Sequence, residues 1–254
     1  MAGGEQIEER TRGRIGMSVA CYLMAAGNGM RLRPITDDFQ KCLLPVDGKP
    51  MLEWWLDAVF RSKIFDRVYV NVHHMADQVS EWVTKYSRRR NREVIIIDER
   101  TKLLGTAGTL YLHAEPDRDF MTVYTDTFSQ AVLVGDGLIR LYDDWGTMRS
   151  GMLAGLVSFK SPEDLSAGRI ITDGRRNVIG FKEKSSGRGL VWSGIMFADR
   201  EVLSLIEESD KDLASDILPR LCYKMVTVGL IDAYDIGRGL EYYDQLNRKE
   251  SSVS

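Results

Sequence analysis

Residues 19–45 gather, in one short span, groups that suit a bound anion. The apolar stretch 19–26 runs into Ala25-Ala26-Gly27-Asn28-Gly29-Met30, and Arg31, Arg33 and Lys41 follow closely. Glycines without a Cβ let backbone N–H groups approach a phosphate, and the cations offset its charge. A lone Gly-x-Gly after a strand marks any tight turn equally well; the three cations point this one toward a phosphate grip. A second glycine cluster, Gly105-Thr106-Ala107-Gly108, permits close approach to a planar ligand and can open a helix. Asp126 follows the apolar stretch 120–124, at the strand end where open α/β sheets place ligand chemistry. An aspartate there also serves as a turn former or helix cap. Lys182-Glu183-Lys184, taken alone, reads as a solvated charged strand end.

These groups need a scaffold, and hydrophobic periodicity supplies one. Residues 19–26 predict a buried first strand, a short apolar run ending in glycine punctuation. Leu52, Trp55, Leu56, Val59 and Phe60 recur at helical spacing and predict a helix over 51–62, with Trp54 and Trp55 as packing residues. Strands follow at 68–72, 94–98, 120–124 and 150–159, and 168–174 with 177–181 reads as a hairpin. Helices are expected at 78–86, from the second glycine cluster through Leu112, and at 201–207. A late strand over 231–236 leads into a terminal helix through Tyr242, Tyr243 and Leu246. Strands alternating with helices predict an α/β fold with a Rossmann-like mixed, mostly parallel central sheet flanked by helices. The run 88–92 after the second helix reads as a solvated basic face. His73 and His74 lack further metal ligands and read as loop histidines.

With 254 residues the chain suits a single domain over 17–254 behind a disordered tail over 1–16, unless that tail is an arm that packs on a partner subunit. A formal charge of −3 gives no basic field, which argues against a nucleic-acid partner. Residues 1–16 hold charges of both signs and no apolar core, so neither a signal peptide nor a membrane segment is expected. Cys21, Cys42 and Cys222 are odd in number, far apart and without metal-ligand spacing, as suits a reducing cytoplasm.

Residues 23–36 and 41–50 resemble the signature of the sugar nucleotidyltransferases, the nucleoside-diphosphate-sugar pyrophosphorylases. Their pattern is Leu-Ala-(Ala/Gly)-Gly-x-Gly-(Thr/Ser)-Arg-Leu-x-Pro-x-Thr, then Pro-Lys-x-(Leu/Met)-x-Pro-(Val/Ile)-x-x-Lys-Pro. Met30 stands at the Thr/Ser position and Gln40 at the proline before the lysine. Residues 104–110 are similar to the family's Leu-Gly-Thr-Ala-Gly-(Ala/Thr)-Leu, 181–184 to its Phe-x-Glu-Lys, and 191–197 to its Asn-Ala-Gly-Ile-Tyr-Val segment with Trp192 at the asparagine. Asp126 aligns with the aspartate of a Gly-Asp pair, Thr125 taking the glycine's place and narrowing the room beside it. Residues 216–221 match the Asp-(Val/Ile)-Leu-Pro-x-Leu element, and 234–237 resemble Trp-x-Asp-Ile-Gly. The likeness spans roughly 19–247, leaving out the β-helix domain that some relatives carry.

This resemblance implies the nucleotide-diphospho-sugar transferase fold and a reaction between a nucleoside triphosphate and a sugar-1-phosphate, giving a nucleoside diphosphate sugar and pyrophosphate. It implies Asp126 and Asp235 as ligands of Mg²⁺, Arg31 at the departing phosphates, Lys41 at the α-phosphate and Lys184 at the sugar phosphate. Nucleotide contacts are implied for Ala25, Ala26, Gly27, Asn28, Gly29, Met30, Gly105, Thr106 and Gly108, and sugar contacts for Glu183, Trp192, Ser193 and Gly194. The Leu-Gly-Thr-Ala-Gly segment favours GTP with a mannose- or heptose-type phosphate; cytidylyl, uridylyl or thymidylyl transfer is the alternative. A non-catalytic sensor of nucleotide sugars is a competing reading, favoured by the departures at Met30, Gln40, Thr125 and Trp192 and opposed by the retained charges. A glycosyltransferase would carry an Asp-x-Asp motif, which 125–127 lacks. Relatives often form dimers or tetramers, and Tyr242 and Tyr243 either serve such a homo-oligomer interface or pack the last helix.

Overall fold

The computed structural model describes residues 18–161, 167–239 and 243. The tail 1–16 and the terminal helix expected through Tyr242 and Leu246 fall outside them. Tyr243, which is described, is buried and donates its hydroxyl to the Pro45 carbonyl at 2.6 Å.

The first half is built from strand–helix–strand units: β1 (Val19–Met24), α1 (Met51–Ser62), β2 (Arg67–Val72), α2 (Ala76–Arg90), β3 (Ile95–Asp98), α3 (Gly105–His113) and β4 (Asp119–Tyr124). The second half holds α4 (Gly137–Met148), β5 (Ala154–Ser161), β6 (Ala167–Thr172), β7 (Val178–Ser185), β8 (Gly189–Ala198) and β9 (Met225–Leu230). β1 lies parallel between β2 and β4, with Leu23 opposite Val70 and Val123, and β3 runs parallel outside β2. β8 joins β4 antiparallel and is the hub of the remainder. Its other edge takes β5, beyond which β9 runs parallel to β5, and near its start Val191 meets Arg169 of the β6–β7 hairpin. The expected mixed, mostly parallel sheet is what the chain forms.

Every residue of β1 is buried, because the sheet is covered on both faces. Ala20, Tyr22 and Met24 enter one core with Leu110, Phe120 and Met196. Cys21 and Leu23 point the other way, into a core with Trp55, Val70 and Trp145. The α1 helix buries Leu52, Trp55, Leu56 and Val59 as its spacing predicts.

Three expectations are corrected, and one helix stands where none was expected. The α2 helix runs past 86 to Arg90 and closes on Asn91 in the left-handed conformation, so Arg88, Arg89 and Arg90 occupy its last turn, where cations oppose the helix dipole. Arg89 pairs with Glu53 at 2.6 Å and Arg90 with Asp57 at 3.3 Å, clamping α2 to α1. The expected late strand over 231–236 is replaced by β9, whose Val226 and Val228 are buried; beyond it, among the described residues, only Tyr234–Asp235 pair. The α4 helix, obscured in the sequence by Gly137 and Gly146, buries Leu138, Leu141 and Trp145. Residues 200–205 form 3₁₀ turns begun by the Asp199 side chain, in place of an α-helix.

Strand order reverses at β1: the chain proceeds through β2 and β3 on one side and returns to β4 on the other. Open α/β sheets bind ligands at such a switch point, beyond the carboxyl ends of the strands. Trp55 secures this edge from below, fully buried and donating its indole N–H to the Thr127 carbonyl at 3.0 Å. Trp55→Ala is expected to lower the unfolding free energy by about 3–5 kcal/mol, as read from urea denaturation; a loss under about 1 kcal/mol would mean that the indole anchors nothing.

Candidate active site

The loop after β1 is held by two side-chain amides. Asn71, at the end of β2, accepts the Ala25 and Ala26 N–H groups on its Oδ1 at 2.7 and 3.2 Å. Gln40 donates its Nε2 hydrogens to the Ala25 and Gly27 carbonyls, both at 2.8 Å. The Gln40 Oε1 accepts the Cys42 N–H at 2.7 Å, and its own backbone N–H donates to Gln78 Oε1 of α2 at 2.7 Å. Gln40 therefore makes side-chain bonds that a proline could not. Gly29 has φ +63, and a Cβ there would lie 2.8 Å from Thr36 Cγ2, so the turn accepts only glycine without adjustment. Thr36 donates its hydroxyl to the Gly29 carbonyl at 2.8 Å.

Beneath Asn71 lies a buried polar group that ties this loop to the second glycine cluster. Asn71 Nδ2 donates to Glu99 Oε1 at 3.0 Å and approaches Thr109 Oγ1 of α3 at 3.2 Å. Glu99, 2% exposed, also accepts the Leu104 N–H at 3.1 Å. His73, whose Nδ1 is 2.8 Å from the Glu99 carbonyl, is a loop histidine as expected.

Between the two loops is a cavity of about 250 Å³, lined among others by Ala25, Ala26, Gly27, Gly105, Thr106 and Lys41. Asn28, Gly29 and Met30 stand outside that lining, Met30 at 66% exposure on the loop tip. Gly108 faces Leu104 and the Asp210 carbonyl and does not line the cavity. Arg33 turns aside to pair with Asp37 at 3.1 Å, so of the three cations in this stretch Arg31 and Lys41 line the cavities.

The two aspartates come together through a short ribbon. Thr127–Phe128 pair antiparallel with Tyr234–Asp235, and the Ile236 N–H donates to the Asp126 carbonyl at 3.0 Å. Lys41 Nζ forms an ion pair with Asp126, while Arg31 stands 3.9 Å from Asp235. Burial, then the neighbouring Asp126 charge, raises the Asp235 carboxyl above the ordinary range. Its Oδ1 accepts the Gly237 N–H at 2.7 Å, and a Cβ on Gly237 would sit 2.1 Å from Lys41 Nζ. Gly237 thus leaves the passage through which Lys41 reaches Asp126. Thr125 donates its hydroxyl to the Met24 carbonyl at 3.0 Å and lines the smaller cavity beside Asp126.

Two adjacent carboxylates whose charges repel fit a hard divalent cation. Among the described residues no set of three or more His, Cys, Asp or Glu side chains forms a metal cage. Asp126 and Asp235 alone suit Mg²⁺, which commonly binds through one or two carboxylates plus substrate phosphates.

A larger cavity of about 630 Å³ opens on the other side of Asp126 and carries Arg31, Glu183, Lys184, Trp192, Ser193 and Gly194. Lys184 has φ +50 within the irregular stretch of β7 between Lys182 and Ser185, a bulge of the kind that re-aims side chains beside sites. Glu183 is partly buried, and its carboxyl is raised by that burial and then by the charge of Asp212. Trp192 is 7% exposed, its indole N–H donating to the Ile195 carbonyl at 2.9 Å and its ring 5.1 Å from that of Tyr124. Ser193 turns its hydroxyl away to the Val157 carbonyl at 2.9 Å. Tyr124, Asp126 and Asp212 line both cavities.

The structure therefore gathers Ala25, Ala26, Gly27, Arg31, Lys41, Gly105, Thr106, Asp126, Glu183, Lys184, Trp192, Ser193, Gly194 and Asp235 around two connected cavities. Sequence reasoning missed Asn71, Tyr124 and Asp212, and saw Gln40 only as a departure. Asn71 alone left a signal: an amide in an otherwise apolar buried strand needs partners.

Comparison with known proteins identifies the family to which the chain belongs. The family model described as nucleotidyl transferase matches residues 21–251. A UTP–glucose-1-phosphate uridylyltransferase of Synechocystis sp. is 30% identical over 220 residues, covering 78% of this chain and 54% of the relative. A putative mannose-1-phosphate guanyltransferase of Sulfolobus acidocaldarius is 29% identical over 207 residues, covering 80% and 54%. The chain spans about half the length of these curated relatives. Among solved structures, HddC from Yersinia pseudotuberculosis superposes with a TM-score of 0.71 at 20% identity, covering 92% of this chain and 100% of that one. A putative glucose-1-phosphate thymidylyltransferase from Bacillus anthracis gives 0.72 at 20% identity, covering 93% and 97%. These structures share the fold, and the match over nearly all of the sequence places this chain in the nucleotidyl transferase family.

Proposed function

We propose that the chain transfers a nucleoside monophosphate from a nucleoside triphosphate to a sugar-1-phosphate, releasing pyrophosphate. The observation that carries this reading is the shared wall: a smaller cavity beside the glycine loops and a larger one beside Glu183 and Lys184 meet at Asp126. The triphosphate lies in the first with its β- and γ-phosphates reaching toward Arg31 of the second, which also takes the sugar-1-phosphate. A phosphate oxygen of the acceptor attacks the α-phosphorus as the bond to the β-phosphate breaks, so the protein needs no covalent intermediate. Its work is alignment and charge neutralisation.

Each residue has a part in that work. Asp126 and Asp235 would hold Mg²⁺, which would supply charge neutralisation for the reacting phosphates. Lys41 exchanges its ion pair with Asp126 for the α-phosphate. Arg31, exposed and only loosely paired, takes the β- and γ-phosphates with the backbone of the glycine loop. Lys184 positions the acceptor phosphate, and Glu183 accepts hydroxyl hydrogens of the sugar.

For the base and sugar we favour GTP with a mannose- or heptose-type phosphate, on the resemblance of residues 104–108. The Sulfolobus acidocaldarius relative carries a guanyltransferase name, and the Yersinia pseudotuberculosis neighbour is also known complexed with GMP-PN. The Synechocystis relative carries a UTP–glucose name, which makes uridylyl transfer to a hexose-1-phosphate the second reading.

Pyrophosphate release over a matrix of nucleoside triphosphates and sugar-1-phosphates tests both levels. Turnover is expected in one base-and-sugar cell, and silence in all of them would defeat the transfer reading. Asp126→Asn and Arg31→Ala are each expected to lower kcat about 10²–10³-fold, the range for loss of one group that stabilises transition-state charge. Gly237→Ala, which displaces Lys41 without removing any charge, should also lower kcat; unchanged turnover would show that the Lys41 passage is not needed. Because Glu183 is raised, its protonated form persists to higher pH, and hydroxyl binding is lost as pH falls through that raised value. The acid limb of kcat/KM for the acceptor should therefore lie above the ordinary glutamate midpoint of about 4.3, and Glu183→Gln should remove the Glu183 contribution while leaving that of the aspartate pair.

A further inference from the structure

Asp212 enters the site from the loop before the short helical turn Leu213–Ile217, and its two oxygens have different company. Oδ1 is taken up by that turn, accepting the Ala214 and Ser215 N–H groups at 2.9 and 3.0 Å and the Ser215 hydroxyl at 3.1 Å. Oδ2 faces the junction of the cavities, 3.2 Å from Thr106 Oγ1 and 3.5 Å from the Tyr124 hydroxyl. Those two hydroxyls lie 3.2 Å from each other, and each has a single hydrogen to give. A carboxylate oxygen in that position keeps room for another donor. The neighbouring backbone is clamped, the Ala107 N–H donating to the Lys211 carbonyl at 3.1 Å.

Among the described residues, the other side chains of the larger cavity have little to donate. The Trp192 indole N–H, the Ser193 hydroxyl and the Thr127 hydroxyl all go to carbonyls, at 2.9, 2.9 and 2.6 Å. The cations Arg31 and Lys184 are allotted to phosphates in the reading above. Lys211, next to Asp212 in sequence, donates to the Glu208 carbonyl at 3.3 Å. What remains toward the sugar is a pair of acceptors, Glu183 and Asp212, close enough that the charge of one raises the carboxyl of the other.

We propose that Asp212 is a second sugar-binding carboxylate, acting with Glu183 on hydroxyl hydrogens of the acceptor, so that the site takes neutral sugar-1-phosphates and rejects those whose ring bears a carboxylate. The proposal rests on the transfer reading above. A hydroxyl donating to a carboxylate is a charge-assisted bond, whereas a ring carboxylate would meet two like charges, with the cations among the described lining residues already engaged by phosphates.

The experiment compares neutral hexose- and heptose-1-phosphates with glucuronate-1-phosphate in pyrophosphate release, for the wild-type chain, Asp212→Asn and Asp212→Ser. Both variants keep an oxygen able to cap the 213–217 turn, so the melting temperature should hold in each. In wild type, kcat/KM for the uronate should be at least about 100-fold below that for the neutral sugar, since like-charge juxtaposition costs several kcal/mol. Asp212→Asn should raise KM for the neutral acceptor about 10–100-fold, as a bond to a charged group is worth about 1.5–3 kcal/mol. KM for the triphosphate should move far less, and the uronate should gain relative to the neutral sugar. Neutral-acceptor KM unchanged in both variants, or equal use of the uronate by wild type, overturns the role of Asp212 while leaving the transfer reading intact. No release with any acceptor overturns both.

Discussion

A central strand that ends inside a sheet leaves backbone groups that must find partners before the chain can turn away. At the end of β1 those partners are two amide side chains, Asn71 from β2 and Gln40 from the turn before Lys41. Because the bonds come from side chains, the loop is fixed without being closed over by another strand. Its outer face stays open for a ligand. The same amides link outward, Asn71 to Glu99 and α3, Gln40 to Gln78 and α2, so the opening of the smaller cavity is braced by three elements.

The charges around the cavities follow a related logic. Asp126, Asp235, Glu183 and Asp212 surround the shared wall, faced by Lys41, Arg31 and Lys184. Burial and mutual repulsion push Asp235 and Glu183 toward their protonated forms. Such a cluster is poorly satisfied by its own side chains and gains from a metal ion, phosphates held by the cations, and hydroxyl donors. The ion pair of Lys41 with Asp126 is the cluster's internal compromise, and Gly237 makes room for it.

Much of this was legible in the sequence because the glycine turns, the apolar strands and the charged residues beside them are local signals. β1, α1, β2, β3 and β4 could be found from periodicity, and Asp126 and Asp235 from motif likeness. Asp212 could not be, since its importance comes from sharing a wall with Tyr124 across a long separation in sequence. Gln40 read as a departure because a motif shows which residue is missing and never which carbonyls the replacement reaches. The α4 helix and β9 escaped for a simpler reason: Gly137, Gly146 and Gly229 break up the patterns that tertiary packing restores. Gly108 misled in the opposite direction, a motif glycine spent on helix packing.

The ribbon joining Thr127–Phe128 to Tyr234–Asp235 bears on how the protein is made. Synthesis runs from the amino end, and the βαβ units that build the smaller cavity emerge first, with mostly neighbouring contacts. Asp235 arrives only with the last described strand. A nascent chain therefore displays the smaller cavity with one carboxylate of the pair, and the centre becomes complete only as residues 234–235 dock.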